Sequence, residues 1–423
     1  MILLYQIFLF VYKAGVYIVS LGSDKARLWI KGRVNVFSKL KKSLPIERRK
    51  TVWMHCASLG EFEQGRPVLK MIKELDPEMD IVITFFSPSG YEVIKNSKEF
   101  DKIFYLPMDS FIHAKRWLKI LKPDLVLWVK YEYWFYYLKE INRKEIPLLL
   151  ISGVFNADQV FFKWYGGLYK KMLGYFTHFF LQNTASKDQL QKLISPEKIS
   201  VSGDTRCDRV INIVNNFSPV DGIAQFCGDS HVIVAGSTWE DDEALFVHYV
   251  RMHPELKFII APHEVDSQNV LGIKKQFEGS VLYSELKNKS QQGTMGEMTV
   301  QDSNCLIINN IGILSRLYHY ATIAYVGGGF GDNGLHNILE AAVYGKPVIF
   351  GPYLYKNFEA EELINCRGAI SVESAVEMEK VLDDLLQNQS DLALRGEAAK
   401  NYVYENAGAA EKIIDFIKEI NVI

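Results

Sequence analysis

Short apolar runs alternate with amphipathic stretches along most of this 423-residue chain, and this alternation constrains the fold more than any other feature. Most of the runs are continuously apolar, as expected for parallel strands covered on both faces. The first series comprises residues 51–58, 80–86, 102–106, 125–130, 147–152, 178–182 and 199–203. The second comprises residues 231–236, 257–261, 305–309, 323–327 and 347–350. Two successive series predict an α/β fold with two doubly wound, Rossmann-like domains that face a cleft.

The two series are separated by residues 212–230, which show no clear hydrophobic period. Because this stretch contains a Ser-Pro and an Asp-Gly pair, we predict a linker there. The flanking domains are then residues 51–211 and 231–423, and the last helix of the second domain is able to pack back on the first. The polar stretch 284–303 predicts an exposed loop or hairpin.

The N-terminus differs in character from the rest of the chain. Residues 1–20 are almost wholly apolar, interrupted by Gln6 and Lys13, and are long enough to span a bilayer as a helix. We predict a membrane anchor over residues 1–22. The basic segment 23–50 carries ten Lys or Arg against two acidic residues, which favours a cytoplasmic location for the body of the protein. A helix lying in the interface and a buried core helix are the alternatives to a membrane span.

The overall composition excludes several function classes. A net charge of −2 argues against a general nucleic-acid binder. The five cysteines are scattered and form no CxxC pair, which indicates reduced thiols and not a disulfide or zinc framework. No HxxH or DxD motif occurs, so the sequence predicts no metal site.

A glycine-dense turn follows one strand of the second series, in the sequence AYVGGGFGDNGLHNILE over residues 324–340. Glycines let the backbone approach a ligand closely, and amides at a helix start favour a phosphate. This arrangement suits a sugar nucleotide better than a nicotinamide. We predict that His336, Asn337 and Glu340 share a face on the first turns of one helix. Glu340 could accept hydrogen bonds from a ribose diol while Gly334 leaves the nucleotide room; a self-contained polar cluster is the alternative.

The first strand runs into Ser58-Leu59-Gly60-Glu61, so Glu61 lies where that strand gives way to a helix. A carboxylate at this position could act as a general base. Equally, it could merely complement the helix dipole. Glu63 lies on a different part of the helix surface and is expected to be solvated.

The second domain opens with a comparable segment, Gly236-Ser237-Thr238. Its amides and hydroxyls could bind a phosphate, although an ordinary helix N-cap fits as well. His263 follows the next strand, where a structural role is also open. Asn357, after the Gly-Pro turn that ends residues 345–352, would lie in the same layer of strand ends.

Taken together, these motifs give the chain a family resemblance. It resembles the 3-deoxy-D-manno-octulosonic acid (Kdo) transferases of lipopolysaccharide synthesis, which are membrane-attached glycosyltransferases of the GT-B fold. The resemblance rests on the apolar N-terminus with its basic flank, residues 58–61, 84–90, 105–109, 132–134, 203–208 and 236–238, and the block 327–358. Each motif is modest alone, whereas their order and spacing are specific.

The resemblance implies a reaction and a set of site residues. Kdo would pass from CMP-Kdo, a co-substrate, to a lipid A precursor (lipid IVA) with inversion, with no cofactor and no metal. Glu61 would be the catalytic base, with Ser58, Gly60 and Glu132 on the acceptor side. The donor nucleotide would bind at Ser237, Thr238, His263, Gly328, Gly329, Gly334, His336, Asn337, Glu340 and Asn357. Further partners would be lipids of the inner membrane, with the catalytic body on its cytoplasmic side and no nucleic acid.

The chain departs from the family pattern at Lys130, where many members have a glutamate, and at His263, where an arginine is usual. Residues 151–163 also lack an arginine often found there. Three other functions stay open on the residues alone. These are a GT-B enzyme that uses a UDP-sugar, a sugar-nucleotide epimerase, and a non-catalytic membrane protein that binds sugar nucleotides or lipids.

Overall fold

The computed structural model describes residues 1–97, 99–100, 102–130, 132–292, 303–331, 334–354 and 357–422, with side chains up to 287 in the fourth range. The chain forms two compact units. The first consists of Met1–Arg209 together with Ala407–Ile423, and the second of Val210–Asn406. The predicted cleft between the two domains stays a prediction.

A parallel sheet of seven strands forms the centre of the first unit. Its strands are β1 (Thr51–Cys56), β2 (Asp80–Phe85), β3 (Lys102–Tyr105), β4 (Leu125–Val129), β5 (Leu148–Gly153), β6 (His178–Leu181) and β7 (Ile199–Val201). They lie in the order β3-β2-β1-β4-β5-β6-β7. Every residue of β1, β2, β4 and β5 is buried because helices cover both faces of the sheet.

The helices of the first unit flank this sheet. They are α1 (Ile2–Val19), α2 (Asp24–Gly32), α3 (Val36–Ser43), α4 (Leu59–Leu75), α5 (Pro88–Ile94), α6 (Phe111–Leu121), α7 (Phe135–Arg143), α8 (Gly167–Leu173) and α9 (Thr184–Leu190), with two short 3₁₀ turns at Val160–Phe162 and Pro196–Lys198. Helix α10 (Thr205–Asn215) begins in the first unit and ends in the second.

The second unit repeats the architecture of the first. Its strands are β8 (Val232–Thr238), β9 (Lys257–Pro262), β10 (Val281–Leu282), β11 (Cys305–Ile307), β12 (Ile323–Val326), β13 (Val348–Phe350) and β14 (Ala369–Ser371), all parallel and in the order β10-β11-β9-β8-β12-β13-β14. Its helices are α11 (Ile223–Cys227), α12 (Glu240–Met252), α13 (Ser267–Gln276), α14 (Tyr283–Gln292), α15 (Leu314–Leu317), α16 (Leu339–Ala342), α17 (Phe358–Asn365), α18 (Ala375–Gln387) and α19 (Gln389–Glu405), with a 3₁₀ turn at Tyr318–Tyr320. The last helix of the chain, α20 (Ala409–Glu419), returns to the first unit.

Two segments differ from the sequence-based expectation. The second unit begins at Val210, and the stretch predicted as a linker contains α11, since its apolar residues Ile223 and Phe226 are buried. The stretch predicted as an exposed loop, 284–303, begins within α14, and residues 293–302 lie outside the described part of the chain.

Helix α20 is fixed to the first unit by Asp208. The Asp208 carboxylate accepts hydrogen bonds from the backbone N–H of Gly408 (2.6 Å) and of Ala410 (2.8 Å). Ile413 and Ile417 on the same helix are fully buried in the apolar core beside β1. The chain terminus therefore completes the core of the first unit.

The N-terminal helix α1 is long and apolar enough to cross a membrane, and most of its surface is exposed. Tyr5 and Leu9 are its buried residues, so the alternative of a buried core helix is wrong. The Tyr5 hydroxyl donates to Asp109 Oδ2 at 2.6 Å, and Asp109 also accepts from the backbone N–H groups of Tyr136 (3.0 Å) and Tyr137 (3.2 Å). One face of α1 is thus attached to the rest of the first unit, while the opposite face is apolar and uncovered.

The buried Asp109 carboxyl makes stability depend on pH. Burial raises its pKa to about 6, against the opposing hydrogen bonds from Tyr5, Tyr136 and Tyr137. Because this folded-state pKa is above the unfolded value, the contribution to stability is present below about pH 4 and is lost as the pH rises through about 6. We expect D109N to remove this part of the pH dependence, on the order of 2 kcal/mol, in denaturant unfolding of the detergent-solubilised protein. D158N, at an exposed aspartate, should keep the wild-type pH profile; equal profiles for D109N and wild type would contradict the assignment.

Candidate active site

Both sheets place their candidate residues where the strand order reverses. In the first sheet the reversal lies between β1 and β4, and in the second between β8 and β12. Loops at the carboxyl ends of such strands diverge and leave a crevice in which ligands of doubly wound folds bind. Glu61 and Glu132 follow β1 and β4, whereas Thr238 and the glycine turn belong to the ends of β8 and β12. Each unit therefore has candidate residues at its own switch point, while His263 and Asn357 follow the neighbouring strands β9 and β13.

Glu61 lies in the first turn of α4, with Ser58 as the N-cap residue. One oxygen of its carboxylate, Oε2, accepts a short hydrogen bond from the backbone N–H of Ala57. Glu61 and Ser58 are half-buried, and Gly60 between them is exposed. The carboxylate is thus held at the strand end by its own loop. Glu61 therefore lies at the N-terminus of α4, where its charge complements the helix dipole. The hydrogen bond from Ala57 orients this same carboxylate, which the sequence suggests as a base.

Glu132 is hydrogen-bonded to His55, a buried histidine that was not among the residues predicted from the sequence. His55 is fully buried on β1, with its Nε2 3.1 Å from Glu132 Oε2 and its Nδ1 3.0 Å from Thr84 Oγ1. Trp134 Nε1 also donates to Glu132 Oε2, at 3.1 Å. The sequence did contain a signal for His55, because a histidine inside a largely apolar strand just before a predicted site loop indicates a functional residue. This network fixes the Glu132 carboxylate beside the end of β1.

Lys130 ends β4 in a left-handed backbone conformation (φ 53°), and Ser152 and Ser237 adopt the same conformation at the ends of β5 and β8. Such non-glycine residues are uncommon and cluster at functional sites. With its amide oxygen turned toward the cations, buried Gln64 accepts from Lys130 Nζ at 2.8 Å and from Arg206 Nε at 3.3 Å. Lys130 is therefore a cation within a hydrogen-bonded network at the end of β4.

In the second unit, Asp242 joins the two loops of the switch point. Its Oδ2 accepts from the backbone N–H of Trp239 and of Gly328, both at 2.9 Å, and its Oδ1 accepts from the Tyr325 hydroxyl at 2.6 Å. Burial raises the pKa of Asp242, although these three hydrogen bonds oppose the rise. In the sequence, Asp242 is one of four consecutive acidic residues, which form the first turn of α12. No pattern in the sequence distinguishes it from Asp241.

Three consecutive glycines are needed by the turn after β12 because the backbone is crowded there. A Cβ on Gly327 would lie 2.4 Å from Ser237 O, and one on Gly329 would lie 2.6 Å from Gly351 N. Gly328 has a φ of 91°, which L-residues rarely adopt. Gly334 also has a positive φ of 79°, but open space surrounds it. The first three glycines are therefore required by packing, and Gly334 by backbone conformation alone.

A stack of rings covers this turn. His336 Nε2 accepts from Trp239 Nε1 at 3.0 Å, so its ring carries its proton on Nδ1. The exposed His263 ring stacks against both of these rings, with its centroid 4.7 Å from that of Trp239 and 4.4 Å from that of His336. Burial, and then the neighbouring His263, lower the pKa of His336 to about 4. His336 is therefore a neutral donor across the physiological pH range.

Two predicted nucleotide residues lie outside the helix on which the sequence placed them. Helix α16 begins at Leu339, so the expectation that His336 and Asn337 lie on its first turns is wrong, and only Glu340 does. The Asn337 side chain accepts from the backbone N–H of Leu339 at 3.3 Å and donates to Glu340 Oε1 at 3.3 Å. An asparagine that bonds to the following backbone favours a turn over a helix, which explains the late start.

The remaining donor-side residues also have structural partners. Thr238 is buried, and its hydroxyl donates to Glu243 Oε1 at 2.9 Å. Asn357 caps α17 by accepting from the N–H of Ala360 at 3.3 Å, while its Nδ2 donates to Leu335 O at 3.4 Å. In the described residues no group of three or more His, Cys, Asp or Glu side chains could hold a metal ion.

Comparison with known proteins shows a similarity to one family. The family model of the 3-deoxy-D-manno-octulosonic-acid transferases matches residues 30–209, which make up most of the first unit. The 3-deoxy-D-manno-octulosonic acid transferase of Aquifex aeolicus is 26% identical over 366 residues, which cover 84% of this chain and 93% of that protein. The chain is thus similar to the Kdo transferase family over most of its length. This similarity supports glycosyltransferase activity with Kdo as the transferred sugar.

Two further likenesses bear on the fold and the domain content. A bifunctional glycosyltransferase/methyltransferase of Fusobacterium nucleatum is 26% identical over 79% of this chain, and the chain spans about half (52%) of its length. The UDP-GlcNAc 2-epimerase of Neisseria meningitidis superposes with a TM-score of 0.63 at 16% identity, covering 88% of this chain and 100% of the epimerase. The predicted fold class, an α/β protein of the GT-B type with two doubly wound domains, is confirmed.

The packing of the glycine turn yields a matched pair of variants. In G329A the new Cβ would meet the Gly351 backbone at 2.6 to 2.9 Å, so the turn must shift. We expect a loss of about 1–3 kcal/mol of unfolding free energy. G272A makes the same change within α13, where nothing lies within 4 Å of the new atom, and should be neutral or stabilising. Thermal or denaturant unfolding compares the two, and equal stability of both variants would refute the packing argument.

Proposed function

We propose that this protein transfers Kdo from CMP-Kdo to a lipid A precursor with inversion at the anomeric carbon. The observation that carries the proposal is the Glu61 carboxylate at the switch point of the first sheet, oriented by the N–H of Ala57. Similarity to the Kdo transferase family supports the sugar and the activity class. The lipid acceptor, the stereochemistry and the residue roles are the parts that we propose.

In the proposed reaction, Glu61 accepts the proton of the acceptor sugar hydroxyl as the oxygen of that hydroxyl attacks the anomeric carbon of Kdo. The C–O bond to the phosphate of CMP breaks, and CMP leaves with the bonding electrons. A single displacement inverts the configuration and needs one base and no covalent nucleophile. The hydrogen bond from the N–H of Ala57 orients the carboxylate that would act as the base.

On the donor side, we propose that CMP binds at the switch point of the second sheet. Asp242 holds the glycine turn against the β8–α12 loop, so the backbone there is preorganised before any ligand arrives. His336, neutral and with a proton on Nδ1, is suited to donate a hydrogen bond to a phosphate or ribose oxygen. Such fixed donors stabilise charge on a leaving phosphate without a metal.

We further propose attachment to the cytoplasmic face of the inner membrane through α1. The exposed apolar face of α1 and the basic segment that follows it support this location. Because Tyr5 and Leu9 bind α1 to the catalytic body, the helix keeps that body close to the bilayer. A membrane-embedded lipid acceptor would require this closeness.

The reaction is tested by incubating the purified full-length protein with CMP-Kdo and a tetra-acylated lipid A precursor, followed by mass spectrometry of the lipid. We expect the mass of the lipid to increase by one or more Kdo units, and the same product in the presence of EDTA. Excess CMP should inhibit the reaction more strongly than UDP. If no Kdo is added under conditions in which a known transferase works, the substrate assignment fails.

The role of Glu61 is tested by E61Q. Glutamine keeps an oxygen that can accept from the N–H of Ala57, so the fold should persist while the base is lost. We expect kcat to fall by about 10²–10⁴-fold with an unchanged melting temperature. E74Q makes the same substitution at an exposed position of α4 and should retain wild-type kcat. Activity of E61Q within threefold of wild type would exclude Glu61 as the base.

A further inference from the structure

An open apolar cavity of about 440 Å³ lies in the first unit, between α1, α2 and the start of α5. The walls include Tyr12, Gly15 and Val16 of α1, Trp29 of α2, and Phe86 and Pro88 of the loop after β2. The volume is in the range of small-molecule sites, which is roughly 300–1,000 Å³. We call this cavity the α1 groove. The candidate site residues described above are not among its walls.

A cation, Arg33, contacts both aromatic walls of the α1 groove. Arg33 donates from Nη1 to Trp29 O at 3.0 Å and from Nη2 to Phe86 O at 2.8 Å. Its guanidinium carbon also lies 3.7 Å from the centroid of the Trp29 ring. Trp29 and Phe86 pack edge to face, with centroids 5.7 Å apart. The walls are therefore held in place by contacts within the first unit.

The inner wall of the α1 groove is bonded directly to the loop that holds Glu61. The N–H of Phe86 donates to Cys56 O at 3.2 Å, and the N–H of Ser87 donates to Ala57 O at 2.8 Å. Ala57 is the residue whose own N–H binds the Glu61 carboxylate. A molecule in the groove would thus have one end next to the candidate base.

A second connection leads from the groove to Glu132. The Phe86 ring packs against Trp134 with centroids 4.7 Å apart, and Trp134 Nε1 donates to Glu132 Oε2. The walls of the groove are apolar and the Glu132 carboxylate lies beyond them, next to Trp134, so the surroundings change from apolar to polar in that direction. An amphiphile with an apolar chain and a polar, hydroxyl-bearing head matches this change.

The outer wall of the groove is α1, whose opposite face exposes large apolar residues such as Phe10 (75% exposed) and Ile18 (70%). A chain that moves from a bilayer into the groove would stay in contact with apolar surface throughout. Lys25 lines the groove, and the cationic Arg33 lies behind its aromatic walls, which suits an anionic, phosphate-bearing head.

We propose that the α1 groove binds one acyl chain of the acceptor lipid and so places the sugar head of that lipid at Glu61. This inference rests on the proposed function and adds the subsite that would select an acylated acceptor. Bulk bilayer phospholipid is the alternative occupant, which the test separates from the acceptor.

Gly15 offers a way to fill the groove without disturbing the fold. No atom lies within 4 Å of a Cβ built on Gly15 or on Gly22, and only Gly15 lines the groove. G15L therefore places a side chain in the cavity, and G22L is the matched control in the turn after α1. We expect G15L to lower kcat/KM for the tetra-acylated acceptor relative to its deacylated form by at least tenfold. G22L should keep the wild-type ratio, and an unchanged ratio in G15L would overturn the proposal.

A binding measurement that needs no turnover separates the groove proposal from the proposed function. The full-length protein is irradiated with a tetra-acylated, diphosphorylated diglucosamine lipid that carries a diazirine in one acyl chain, and the adducts are mapped by mass spectrometry. We expect adducts on the walls of the α1 groove that fall at least fivefold in G15L and persist in G22L. If they form there while neither acceptor receives Kdo, the groove stands and the proposed function fails. Loss of the adducts upon addition of excess phosphatidylglycerol vesicles, or labelling only of the outer face of α1, would overturn the groove assignment.

Discussion

A parallel strand that is covered on both faces can carry polar chemistry only where it ends, and this constraint organises both units of the protein. The strands β1, β4, β8 and β12 are apolar and buried over most of their length, and polar candidate groups follow immediately after them. Because strand order reverses between β1 and β4 and between β8 and β12, the loops there diverge and leave room for a ligand. Glu61 and the glycine turn owe their positions to this reversal.

Within each unit, a carboxylate forms hydrogen bonds that connect the segments next to the reversal of strand order. In the second unit, buried Asp242 accepts three hydrogen bonds and thereby joins the β8–α12 loop to the turn after β12. In the first unit, Glu132 joins the loop after β4 to His55 on β1. A buried polar group is costly unless it is fully bonded, so such networks stabilise one arrangement of the loops over others. The loops are thus ordered before substrate binds, which favours catalysis by positioning.

The N-terminal helix α1 both bonds to the polar framework of the first unit and forms a wall of the α1 groove. Tyr5 bonds to Asp109, whose carboxylate also caps α7, so α1 is part of the first unit's polar framework. The same helix exposes an apolar face and forms one wall of a groove whose inner wall is bonded to the Glu61 loop. An apolar surface, an apolar groove and a carboxylate follow one another within a single unit, which is the order an amphiphilic acceptor would need.

The sequence by itself determined the elements whose cause is local. Apolar runs predicted twelve of the strands because a buried parallel strand needs a continuous apolar segment, and the glycines at 327–329 marked a crowded turn that the structure contains. The short strands β10 and β14, the late start of α16 and the passage of α10 between units were decided by tertiary contacts. Tertiary contacts also decided the roles of His55, Asp242 and Gln64. His55 contacts Glu132, 77 residues away; Asp242 contacts residues 83 and 86 positions away; and Gln64 contacts residues 66 and 142 positions away. A contact between distant segments leaves no periodic trace in sequence, and only folding brings its two partners together.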